Sequence, residues 1–255
     1  MNYKPLFILL LLIVGSCSKE VSLRFSSEEF TEENLDVCQE ETCSTVTINY
    51  LTAEGDPFIS EKINTAITNY VIEGLFLGED AAPTANSIPE AAEQFVMSYR
   101  DHQPDFPDQV DPENFEAMIT MEATHQSENF VSLSCYKYLF TGGAHGYGET
   151  QFLLFDTQTG SAVGLEDLVN DVPGFKAYAA SRFREIHDIA ETESINATGF
   201  WFEDDQFYLP EAIGLVGDQI VLVYNPYEIA SYAEGAISLE IPLNDIEPFL
   251  NTNLL

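Results

Sequence analysis

Positive charge is what this sequence lacks. Nine Lys and Arg stand against 43 Asp and Glu, a formal net charge of −34 at pH 7. A field of that sign repels phosphate backbones and anionic headgroups, so nucleic-acid binding is excluded and cationic partners are favoured. Acid also keeps an exported protein soluble, so charge alone names no partner. Histidine is scarce: His102, His125, His145 and His187 are scattered singly, and no H-E-x-x-H pairing exists. No metal site and no cofactor are expected. The longest apolar run, Leu6 to Val14, is well short of the roughly 20 residues a spanning helix needs.

That run belongs to "MNYKPLFILLLLIVGSCSKE", which opens on Lys4 and closes on small residues before Cys17. The pattern reads as an export signal over residues 1–16. Its "VGSC" ending resembles a bacterial lipobox, in which the cysteine is lipidated and becomes the mature first residue. Acyl chains contribute about 0.8 kcal/mol per buried methylene, so two or three would hold the protein on a membrane almost permanently. The expected location is the cell envelope, lipid-anchored outside the cytoplasm, on the periplasmic face or the cell surface. Three cysteines remain, an odd number for an oxidising compartment. A local Cys38–Cys43 bridge with Cys135 as a buried free thiol is the preferred arrangement, although the sequence leaves the connectivity open. The spacings match no zinc site.

Residues 17–44 are polar and acidic, and read as a tether. Folded structure is expected from Thr45, as an N-terminal subdomain over 45–148 and a C-terminal subdomain over 149–255. "STVTINYL" alternates like a strand, and the following segment places Ile59, Ile63, Ile67, Tyr70 and Val71 on one helical face. A second helix is expected from Ile88 to about Arg100. "NFEAMITMEATHQSENFVSLSCYKYLF" reads as a hairpin turning near Gln126 to Asn129, with Val131, Leu133 and Cys135 sharing a face. "TQFLLFD" is another strand, followed by a short helix at Glu166 to Val169. Phe175, Tyr178, Ala179, Phe183 and Ile186 line an amphipathic helix. "AIGLVGDQIVLVYN" is a hairpin turning at Gly217-Asp218, and "AISLEIPL" adds a strand. Helices between groups of antiparallel strands imply an α+β fold, an antiparallel sheet packed with several helices in one compact domain or two closely joined subdomains.

The loop Gly142-Gly143-Ala144-His145-Gly146 interrupts two strands. A phosphate cradle would open onto a helix N-terminus, whereas this loop leads into a strand. It is expected to be structural, with Gly142, Gly143 and Gly146 supplying positive φ angles and His145 bonding the loop's own backbone. "SCYK" sets Ser134 three residues before Lys137, the spacing of serine acyl-transfer enzymes, but only a helix brings such a pair to one face. No catalytic residue is therefore assigned. A glycosidase needs two suitably separated carboxylates, and with this many acids the sequence cannot select a pair.

"YKYLFTGGAHGYGETQFLLFDTQTGSAVGLEDLV" followed by "FYLPEAIGLVGDQIVLVYNPYEIASYAEGAISLEIPL" resembles the paired domains of unknown function in the extracytoplasmic part of RsiV-like anti-sigma factors. The resemblance covers roughly Thr45 to Leu250. It implies an α+β domain that in the anti-sigma factor senses lysozyme by direct binding, and that also occurs beside peptidoglycan deacetylase domains. This chain has no cytoplasmic sigma-binding segment and no deacetylase metal motif, and Ser231 stands where the family usually has proline. The expectation is a non-catalytic binding domain for peptidoglycan, a muramidase or another envelope protein, with a cationic envelope protein such as lysozyme among the candidate partners. Tyr227, Glu228 and Tyr232 in "NPYEIASYAEG" are the expected partner-binding residues. An enzyme acting on cell-wall glycan through acidic residues is the alternative.

Overall fold

A computed structural model describes residues 22–39, 43–78, 82–102 and 115–251. The export signal and Cys17 lie outside the described residues. Strands β1 (Arg24–Thr31), β2 (Thr45–Glu54), β3 (Glu116–Gln126), β4 (Phe130–Phe140) and β5 (Tyr147–Asp156) form one sheet in chain order. β2 and β3 pair in parallel and the other neighbours antiparallel, so the sheet is mixed. The parallel pair requires a crossover, which carries helices α1 (Pro57–Leu75) and α2 (Ile88–His102). Asp56 starts α1: its side chain accepts from the Phe58 and Ile59 amides at 2.9 and 3.3 Å, with Pro57 in the first turn. Ile63, Ile67 and Val71 then recur on one face and bury against Val46 and Ile48 of β2, Ile119 of β3 and Leu133 and Cys135 of β4.

The second core lies on the opposite face. Helices α3 (Leu165–Leu168), α4 (Val172–Ile186) and α5 (Leu243–Ile246) accompany a three-stranded antiparallel sheet of β6 (Ala212–Val216), β7 (Gln219–Tyr224) and β8 (Ile237–Pro242). Phe175 and Phe183 of α4 pack with Leu215, Leu222, Tyr224 and Ile241, and the first sheet contributes Phe130 and Leu154. β6 is tied directly to that sheet. The Leu215 amide donates to Ser132 Oγ at 3.0 Å, and Thr124 Oγ1 donates to the Leu215 carbonyl at 2.6 Å. Ser132 is fully buried for this reason. The fold is α+β.

Three expectations need correction. Residues 24–31 are an edge strand paired with β2 along its whole length, not part of a tether. The boundary placed between residues 148 and 149 cuts through β5, whose pairing with β4 puts all of it in the first sheet. Ile186 ends α4 at 47% exposure and takes no part in the buried stripe. Cys38 and Cys43 are disulfide-bonded with Cα atoms 5.5 Å apart, and Cys135 is a buried free thiol. Burial pushes that thiol up to about 12, so it holds its proton at any physiological pH.

Candidate functional site

The site forms where the open edge of β5 meets the segment leaving β7. Tyr224, the last residue of β7, is fully buried and its hydroxyl donates to the Tyr208 carbonyl at 2.6 Å. The next residue, Asn225, behaves as a one-residue strand: Thr150 N–H donates to its Oδ1 at 2.8 Å and its Nδ2 donates to the Thr150 carbonyl at 3.0 Å. An edge strand presents backbone groups that need partners, and the amide side chain satisfies one such pair. Glu228 closes the turn, accepting from the Asn225 amide at 2.9 Å, while Tyr208 Oη donates to the Glu228 carbonyl at 3.1 Å.

This pinned turn holds Tyr227 at φ +72° and leaves the residue 54% exposed. A non-glycine residue at positive φ persists only where its surroundings over-determine it. Here the Tyr227 amide donates to the Ala230 carbonyl at 3.1 Å, and Ile229 and Ala230 are buried.

Tyr232 follows, half-buried between two other rings. It lies 3.9 Å from the His145 ring at 17°, and 5.6 Å from the Tyr227 ring at 30°. Its hydroxyl donates to the Gly146 carbonyl at 2.9 Å. His145 Nδ1 is also 2.9 Å from that carbonyl, so Nδ1 carries the ring proton, and Nε2 faces Tyr227 Oη at 3.5 Å. The Gly-Gly-Ala-His-Gly loop and the Asn-Pro-Tyr-Glu segment are thus one structure, stacked through His145, Tyr232 and Tyr227. The glycines serve two purposes. Gly142 and Gly143 take φ of +96° and +93° in open space, whereas a Cβ at Gly146 would run into the Tyr138 ring. Gly146 is therefore needed for room, not for the positive φ expected of it.

A groove of about 630 Å³ runs beside the stack. Tyr147, Glu149 and Gln151 of β5 form one wall, and Tyr208, Glu211 and the residues from Asn225 to Glu228 form the other. Glu149 pairs with Lys137 at 2.8 Å. Burial raises the Glu228 carboxyl above its ordinary value; the Asn225 amide opposes the shift and the Glu211 charge adds to it. Burial likewise raises the Tyr147 and Tyr208 hydroxyls, with Glu228 contributing to both. Aromatic walls with carboxylates suit binding of a polar or cationic ligand. Among the described residues, no group of three or more His, Cys, Asp or Glu is placed to hold a metal ion.

Of the residues selected by sequence, Tyr227, Glu228 and Tyr232 come together with His145 and Gly146, while the Cys38–Cys43 bridge belongs to the chain joining β1 and β2. Tyr147, Glu149, Tyr208, Glu211 and Asn225 had not been selected. Asn225 and Glu228 bracket the Pro-Tyr step after an apolar strand, a turn signature that would have picked out Asn225. Nothing in the sequence pairs Glu211 with Tyr147.

Residues 37–147 match a family model described as deacetylase PdaC, and residues 166–244 match one described as a protein of unknown function, DUF3298. His145 and Gly146 close the first match, Tyr208 to Tyr232 lie in the second, and most of β5 lies between them. A crystal structure of a DUF3298-family member from Bacteroides fragilis superposes with a TM-score of 0.69 at 21% identity, over 92% of this chain and 96% of that one. A DUF3298-family protein from Pseudomonas aeruginosa gives 0.61 at 20% identity, with the same two coverages. At such identities the likeness establishes the fold. No curated protein matches the sequence.

Proposed function

We infer that this chain, which pairs a PdaC-type segment with a DUF3298 segment, is a lipid-anchored binding module of the bacterial cell envelope. The ligand is a muramidase or another cationic envelope protein, or peptidoglycan itself, and it is held where the two loops meet. The observation that carries this reading is the stack of His145, Tyr232 and exposed Tyr227 at the rim of the acidic groove. A rigid aromatic presented at a rim is a good anchor because little side-chain freedom is lost on contact, and truncating such an anchor costs about 2 kcal/mol or more at a hot spot. The turn that presents Tyr227 is fixed by half-buried hydrogen bonds, so binding requires little ordering of the loop.

Calorimetry at physiological salt with a basic muramidase, and co-sedimentation with insoluble peptidoglycan, test the reading on wild type and Tyr227→Ala. Salt-resistant binding weakened at least tenfold by the substitution supports it. Binding to neither ligand, or binding indifferent to Tyr227, contradicts it. The anchor is tested separately: Cys17→Ala should move the protein from the detergent phase to the aqueous phase on phase partition.

A second reading has one observation in its favour, the half-buried Glu228 carboxyl beside Glu211 in the same groove. Release of reducing ends from cell-wall glycan by wild type but not by Glu228→Gln would establish it.

A further inference from the structure

We propose that the groove between β5 and the Asn225–Glu228 turn is a receptor for a single cationic side chain, the arginine or lysine of a basic partner protein, which enters between the tyrosines and is held by Glu211 and Glu228. This rests on the binding role inferred above and names the chemistry recognised there.

Charge on this protein is plentiful everywhere, so the case rests on what is particular to the groove. Of its three carboxylates, Glu149 is neutralised by Lys137 at 2.8 Å. Among the described residues no Lys or Arg forms an ion pair with Glu211 or Glu228. His145 is turned elsewhere: its Nδ1 contacts the Gly146 carbonyl and its Nε2 faces the Tyr227 hydroxyl, so neither ring nitrogen is engaged with Glu211 or Glu228. Glu228 is half-buried and gives one carboxylate oxygen to the Asn225 amide, which aims the group and leaves its other oxygen for a ligand. A carboxylate so placed is disfavoured by desolvation and by its neighbour's charge. An incoming cation offsets both penalties with its charge and its hydrogen bonds, whereas a neutral donor offsets them only in part.

The walls fit the same ligand. Tyr147, Tyr208 and Tyr227 line the groove, and tyrosine faces attract ammonium and guanidinium groups in addition to packing their methylenes. Concavity matters too, since field lines from carboxylates focus in a cleft with low-dielectric walls and are screened less than at an open surface. A net charge of −34 steers a basic partner to the protein, and the groove gives one of its side chains a fixed destination.

The test is an amide NMR titration of the soluble chain in 150 mM salt with blocked arginine (Nα-acetyl-arginine amide), blocked lysine, the neutral isostere blocked citrulline, and glucosamine. The proposal expects saturable shifts confined to Tyr147, Glu149, Tyr208, Glu211 and Tyr227–Glu228 with arginine or lysine, and at least fivefold weaker binding of citrulline. Glu211→Gln, at an exposed position where folding is not at risk, should weaken the cation at least threefold. Glu211→Gln with Glu228→Gln should weaken it at least tenfold, with the Asn225 contact still available to the glutamine oxygen. Citrulline equal to arginine, shifts spread over the acidic surface without saturation, or indifference to Glu211→Gln would overturn it. Glucosamine binding more tightly than either amino acid would assign the groove to amino sugars instead. If the protein binds a muramidase undiminished by the double substitution, this inference falls while the binding role stands.

Discussion

Asn225→Ala is the substitution that bears most directly on how the site is built. The residue is 9% exposed and its side chain makes two hydrogen bonds with the backbone of Thr150, at 2.8 and 3.0 Å. Each such bond contributes about 1 kcal/mol net, and a stranded buried partner costs about 1–3 kcal/mol. Thr150 is half-buried, so water recovers part of the loss, and about 2–4 kcal/mol is expected in all. For a chain of this size each kcal/mol moves Tm by about 2–4 °C, giving a fall of about 5–15 °C. Asn225→Asp is the sharper control. It can still accept from Thr150 N–H but cannot donate to the Thr150 carbonyl while ionised, and it adds a buried charge beside Glu228. It should be as damaging as alanine at pH 7 and recover on acidification, when its protonated oxygen can donate. Urea denaturation followed by near-ultraviolet dichroism gives both numbers. An alanine variant within about 0.5 kcal/mol of wild type, or an aspartate variant equal to wild type at pH 7, would refute the one-residue-strand reading of Asn225.

Glu228→Gln should stabilise the unliganded protein at pH 7. The raised carboxyl pKa means that wild type gives up stability as pH climbs through that value, so the variant's advantage should disappear below the ordinary value of 4.5; a constant difference across pH, read by thermal melts, would contradict the burial argument. Gly143→Val forces a β-branched residue to φ +93° and should cost about 1–3 kcal/mol although a Cβ there meets nothing within 4 Å, and an unchanged melting temperature would show the loop free to relax. Cys135 should resist alkylation in native protein and react fully on unfolding, with mass spectrometry also recovering a Cys38–Cys43 peptide; rapid native labelling would mean that β4 opens.

Much of the fold was legible because period-2 and period-3.6 burial patterns are local. Val131, Leu133 and Cys135 declare a buried face by alternation alone, and Ile63, Ile67 and Val71 declare a helix by spacing. β1 escaped notice because it is an edge strand. Only Phe25 and Phe30 pack against the core, while Glu28 and Glu29 face solvent, so its composition resembles that of an acidic linker. The subdomain boundary was misplaced for a similar reason: the glycine-rich loop looks like a linker, but β4 and β5 pair across it through ten residues of register.

The site was legible only in pieces. His145 and Tyr227 are 82 residues apart in sequence, and what brings them together is the pairing of Asn225 with the edge of β5. No local pattern encodes a side-chain amide taking the place of a strand. Tyr232 illustrates the limit differently: no local pattern shows that its ring stacks between His145 and Tyr227 or that its hydroxyl donates to the Gly146 carbonyl. Its neighbour Tyr227 carries the exposed surface.

Hydrogen exchange measured by mass spectrometry, with and without a saturating basic muramidase at physiological salt, tests the binding role of this site most directly. Protection confined to residues 142–151 and 225–235, and abolished by Tyr227→Ala, is the expected result. Protection on the α1 and α2 face, around the Cys38–Cys43 bridge, or nowhere would contradict it.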